Sequence, residues 1–155
     1  MTPSTVEKAL RRFGQVKDRQ GIAGLLAACA GELGRVHRLG LCHGRPHPRD
    51  MFIAADRIGF LDFEESPAEV MPLAVAQARD MMLFILTTSD VTATLEAGIK
   101  PLLAAWKAEA PQEARQEFER QASRLRFLRL PVNVLRRLIR GKDMQRLAAM
   151  IVFLT

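Results

Sequence analysis

The chain has 155 residues, 48% hydrophobic and 26% charged, a balance that suits one soluble globular domain with a core of its own. No apolar run reaches the roughly 18 residues a bilayer span needs, since the densest, Met81-Met82-Leu83-Phe84-Ile85-Leu86, stops at Thr87. The net charge of +6 is uneven: ten Lys/Arg stand against three acids (Glu117, Glu119, Asp143) between Arg115 and Arg146, a local +7 that leaves the remainder near −1. Such a segment suits an anionic partner (lipid, glycan phosphate or nucleic acid), which for lipid would put the chain at a membrane periphery; the alternative is a solvated helix face. Cys29 and Cys42 match no metal spacing, and Met1-Thr2-Pro3-Ser4 lacks the basic-then-apolar order of a secretion signal. A reduced, cytoplasmic chain is expected.

In chain order, Thr5 to Phe13 carries Val6 and Leu10 at i, i+4 and predicts a short helix capped by Ser4 or Thr5 and broken by Gly14. A second helix is predicted from about Lys17 to Leu39, with Ile22, Leu25, Leu26, Cys29, Leu33 and Val36 on one face and Gly40 placed to end it. Two short apolar runs, Met51 to Ala54 and Ile58 to Leu61, flank polar Ala55-Asp56-Arg57 in the pattern of a β-hairpin. Everything after Pro72 reads as helix, with spans near 73–88, 91–108, 112–128 and 132–140 and a last one from about 143. Pro101 is a candidate interruption of the second of these, and Pro131 and Gly141 punctuate the later ones. The expected architecture is one domain over 1–155, mainly α with one small β-hairpin. Its chemistry lies in about 33–66 and its helical remainder in 73–155.

The informative stretch runs Leu33-Gly34-Arg35-Val36-His37-Arg38-Leu39-Gly40-Leu41-Cys42-His43-Gly44-Arg45-Pro46-His47-Pro48-Arg49-Asp50-Met51-Phe52-Ile53, followed across the hairpin by Ile58-Gly59-Phe60-Leu61-Asp62-Phe63-Glu64-Glu65. It resembles the catalytic and metal-binding loops of the protein-kinase-like superfamily, in particular bacterial lipopolysaccharide and small-molecule kinases and RIO- and KEOPS-type kinases. The resemblance implies a kinase-like C-terminal lobe, an ATP-dependent phosphotransferase activity, and Mg2+ and ATP as cofactors. It matches Asp62 to the metal-binding Asp of the Asp-Phe-Gly position and Asp50 to the Asn that holds a second metal. Asp80 matches the buried helix Asp that hydrogen-bonds the catalytic-loop backbone; exposure on a polar stripe is the alternative.

The physics of the layout stands beside the name. Phosphoryl transfer from ATP needs Mg2+ to bridge phosphate oxygens, and Mg2+ takes hard oxygen ligands. Asp50 lies just before the first strand and Asp62 just after the second, so both can sit at the hairpin's open end; two exposed loop aspartates with no metal is the alternative. His37 and His43 are expected to brace the loop through backbone hydrogen bonds.

Two departures from the family pattern matter. Arg45 stands where active kinases have the catalytic Asp, and a guanidinium has no acceptor with which to take a proton. Arg45 could instead hold phosphate in a bidentate contact. His47 is a substitute candidate for the base, or a structural loop residue. Secondly, no G-x-G-x-x-G and no Val-Ala-Ile-Lys-like strand precede His43, so the N-lobe is expected to be missing. The chain would then be a fragment, a truncated relative or half of a two-chain assembly. The leading expectation is a kinase-like lobe that binds Mg-nucleotide and is inactive alone. Its rival is a pseudokinase or scaffold module for an acidic partner. A helical nucleic-acid binder ranks last, because only Phe118 and Phe127 lie among the arginines to stack bases.

Overall fold

A computed structural model describes residues 4–55, 57–63 and 67–127. Its elements are β1 (Ser4–Thr5), α1 (Val6–Gln15), α2 (Arg19–Arg38), β2 (Met51–Ala54), β3 (Arg57–Phe60), α3 (Leu73–Thr92), α4 (Lys100–Glu109) and α5 (Gln112–Phe127), with 3-10 turns at Pro48–Asp50 and Pro67–Glu69. The molecule is mainly helical with a small antiparallel sheet of order β1-β2-β3. The helices expected at 132–140 and from 143 lie outside the described residues, as does Asp56 in the hairpin turn.

The expected hairpin gains a third strand. Ser4 and Thr5 pair with Ile53 and Phe52, and Thr5 also caps α1, its hydroxyl accepting from the Lys8 amide at 3.3 Å. Two residues are too few to show a period of two. Gly14 does not break α1, which runs on to Gln15; the chain reverses at Lys17, whose φ is +55°. Asp18 then caps α2 by accepting from the Gly21 amide at 2.8 Å.

At its other end α2 closes as expected at Gly40, with φ of +78°. The Gly40 amide donates to His37 O (3.0 Å) and the Leu41 amide to Val36 O (3.3 Å), the paired bonds of a Schellman motif. Pro101 does not interrupt a long helix. It sits in the first turn of a separate α4, where its missing N–H leaves no bond unmade, and residues 93–99 form turns.

The core is one cluster. Leu26, Ala30 and Leu33 of α2 pack with Leu102, Trp106 and Ala110 at α4, Met81, Phe84 and Ile85 of α3, and Ala114 and Phe118 of α5. Helices α2 and α4 cross closely because Gly34 carries no side chain: a Cβ there would lie 2.8 Å from Trp106 O and 2.9 Å from Glu109 Cβ. The hairpin is similarly tight, for the Phe52 ring lies over Gly59 and a Cβ there would come within 2.2 Å of it. This packing fixes the α2–β2 loop between the hairpin and α3. Among the described residues no helix is long and apolar enough to cross a membrane.

Candidate functional site

The loop from Leu41 to Asp50 is held from one side by α3. Asp80 is fully buried and accepts three hydrogen bonds: from the His43 amide at 2.6 Å, the Gly44 amide at 2.9 Å and His37 Nε2 at 3.2 Å. Gly44 has φ of +95°, a conformation other residues rarely adopt, and this turns two successive amides toward one carboxylate. The other His37 ring nitrogen, Nδ1, accepts from Trp106 Nε1 at 3.0 Å. An indole N–H can only donate, so the His37 proton sits on Nε2 and points at Asp80. The expectation that His37 braces the loop through backbone bonds is thus replaced by a buried side-chain chain, Trp106–His37–Asp80.

Three further residues of α3 hold this loop, none of them singled out by the sequence reading. Gln77 Nε2 donates to His37 O (2.8 Å) and Leu41 O (2.9 Å), Arg79 Nη1 to Gly44 O (2.5 Å), and Thr87 Oγ1 to Pro46 O (3.5 Å). A signal was present. Gln77, Asp80 and Phe84 recur at i, i+3, i+7 on the buried face of an apolar helix, where a polar residue needs a partner.

His43 ties the loop to the hairpin. Its Nε2 donates to Leu61 O at 2.9 Å, its Nδ1 accepts from the Arg45 amide at 3.4 Å, and its ring stacks at a tilt on Phe63, centroids 4.7 Å apart. His47 is half-buried and caps the Pro48–Asp50 turn, Nδ1 accepting from the Arg49 amide at 3.1 Å.

The two aspartates lie at the same end of the hairpin. Met51 pairs with Phe60 as the last strand pair, and beyond it the Leu61 amide donates to Asp50 O at 2.8 Å. Asp62 follows directly, exposed and in the left-handed region at φ +66°. That conformation is uncommon for a residue with a Cβ, though Asp tolerates it better than most. Each carboxylate has an arginine beside it: Arg45 Nη2 is 3.7 Å from Asp62, and Arg49 Nε is 3.3 Å from Asp50. Exposed pairs of this kind contribute about 0–1 kcal/mol, so they yield readily to a stronger ligand.

Mg2+ accepts one or two protein carboxylates when phosphates and water complete its shell. Asp50 and Asp62 offer hard oxygens from one end of the hairpin, with two guanidinium groups beside them that suit phosphate oxygens. Among the described residues no group of three or more metal-ligating side chains converges. The donor set fits an ion that arrives with its phosphates.

The basic segment is only partly described. Within it Arg115 Nη1 donates to Lys107 O at 3.2 Å, Arg120 pairs with Glu117, and Glu119 pairs with Lys107 of α4. These charges are engaged within the fold; residues 128–146 lie outside the described residues. No family model, curated protein or solved structure matches the chain.

Proposed function

We propose that the chain is a kinase-like C-terminal lobe that binds Mg-nucleotide at the open end of the β2–β3 hairpin and does not transfer phosphate unaided. The observation that carries the proposal is the shared placement of Asp50 and Asp62, linked by the Leu61–Asp50 backbone bond. Beside them the loop is held in place by Asp80 and His43. Asp62 in a left-handed conformation adds support, because strained backbone persists where a role holds it there.

In this reading Asp62 and Asp50 would hold Mg2+, which when bound would supply charge neutralisation for the phosphates. Arg45, beside Asp62, would contact phosphate oxygens; as a guanidinium it holds charge and takes no proton. His47 Nδ1 accepts from the Arg49 amide. Its role here is to shape the Pro48–Asp50 turn. Phosphoryl transfer rests on positioning and charge stabilisation, which the Gly-rich loop and strand Lys of an N-lobe supply from the other side of the triphosphate. Neither motif occurs in these 155 residues. A separate N-lobe, or a partner chain in that role, would complete the site.

In the alternative reading, a pseudokinase or scaffold module for an acidic partner, Arg45 has ended phosphotransfer, and the Arg45–Asp62 pair favours it. Isothermal titration with Mg·ATP separates both from a structural role for the aspartates. The expected result is weak, Mg2+-dependent binding that Asp62→Ala abolishes while circular dichroism shows the fold intact. Binding that survives Asp62→Ala would remove the metal assignment.

A further inference from the structure

A groove lies at the turn end of the hairpin, away from Asp50 and Asp62. It encloses about 630 Å3 between α1 and the hairpin, lined by Lys8, Arg12, Phe13, Val16, Ile53 and Ala54 among others. A groove of that size takes a small organic ligand. Its apolar wall is continuous with the core, for Phe13 and Ile53 pack against the central cluster. Val16, just past the end of α1, is 69% exposed, a large aliphatic side chain left in water at the rim.

The charge on this face is unbalanced in a telling way. Helix α1 carries two i, i+4 pairs of charged residues side by side. Glu7 and Arg11 close on each other at 2.9 Å. Lys8 and Arg12 are both cationic, a like-charge pair that slightly weakens the helix. Among the described residues neither side chain has an ion-pair or hydrogen-bond partner. The acidic residue on the wall, Asp18, uses Oδ1 to accept from the Gly21 amide as the cap of α2. Among the described residues, two exposed cations without an ion-pair partner thus stand beside an apolar wall, against the single carboxylate of Asp18.

We infer that this groove binds a small amphipathic carboxylate, its head between Lys8 and Arg12 and its alkyl body along Phe13, Val16 and Ile53. The charge complementarity selects an anion, the wall selects an apolar body, and the small side chains of Ala54 and Ala55 leave space for it. The site is independent of the nucleotide reading, because no residue of the Asp50–Asp62 end lines it.

Decanoate is a suitable probe, titrated below its micelle concentration and followed by amide chemical shifts of the whole chain, with decanol and acetate as controls. Saturable decanoate binding is expected, with shifts centred on Lys8, Arg12, Val16 and Ile53. Decanol and acetate should bind at least tenfold more weakly. Lys8→Glu with Arg12→Glu, both on the exposed face of α1, should weaken decanoate at least tenfold without altering the thermal melt. Ala54→Phe, which fills the apolar end and leaves the charges in place, should do the same. Decanol binding as tightly as decanoate, or affinity unchanged in both variants, would overturn the inference. So would an acidic amphipathic peptide that binds there when decanoate does not.

Discussion

Asp80 is the residue on which the loop most depends. Three donors converge on a carboxylate that has no contact with water, so its removal strands all of them. Each buried donor left unpaired costs about 1–3 kcal/mol, and loss of a buried charged partner costs about 3 kcal/mol or more. Asp80→Ala should therefore lower unfolding free energy in urea by about 3 kcal/mol, a large share of a small domain's stability. Asp80→Asn should be nearly as harmful, because its amide would present N–H to N–H on one side. Stability equal to wild type in either variant would mean that the loop is held by Gln77 and Arg79 instead.

Cysteine chemistry is set by burial at the same scale. Burial pushes the Cys29 thiol from its ordinary 9.0 up to about 12, against a smaller lowering by a backbone hydrogen bond. Cys42, half-buried in the loop, is raised in the same direction and for the same first reason. A thiol reagent near neutral pH should label Cys42 slowly and Cys29 only in denaturant. The folded state favours the neutral Cys29 thiol, so its contribution to stability is whole below pH 9.0 and lost as pH rises toward about 12. Thermal melts across that range should fall more steeply for wild type than for Cys29→Ala.

At the scale of elements, the helices that bury a stripe of apolar residues were legible in the sequence, and their ends were less so. The first helix after Pro72 was expected to end near residue 88, yet α3 continues to Thr92. Thr88 donates to Phe84 O at 2.7 Å, Ser89 to Leu86 O at 2.8 Å and Thr92 to Thr88 O at 3.2 Å, so these hydroxyls are satisfied within the helix and do not end it. Pro101 carried the opposite ambiguity, since the same ring that ends one helix suits the first turn of another. The α2–α4 crossing was not legible, because Gly34 gives no apolar signal; its role is what it lacks. Gly34→Val should destabilise by about 1–3 kcal/mol through overpacking against Trp106 O and Glu109, measured by urea unfolding. An equally stable variant would mean that the two helices can separate without loss.

For the whole molecule, the sequence order helix, His-Gly loop, hairpin and Asp-Phe predicted which residues would come together at one end of the hairpin, but not what holds them there. Gln77, Arg79 and Trp106 act over long sequence separations, and no local spacing records such contacts. The proposed account makes the lobe a binder first: two carboxylates for Mg2+, two arginines for phosphate, and a loop held by α3. It predicts no ATP turnover above background by the isolated chain in a radiolabel assay. Turnover that disappears with Asp62→Ala would instead make His47 or Asp50 the proton acceptor.

The most direct test of the central claim replaces Mg2+ with paramagnetic Mn2+ and follows amide signals as Mn·ATP is added. The account predicts broadening confined to residues 43–50 and 61–63, absent in Asp62→Ala and absent with Mn2+ at the same concentration but no nucleotide. Broadening centred elsewhere on the chain, or equal in Asp62→Ala, would contradict it.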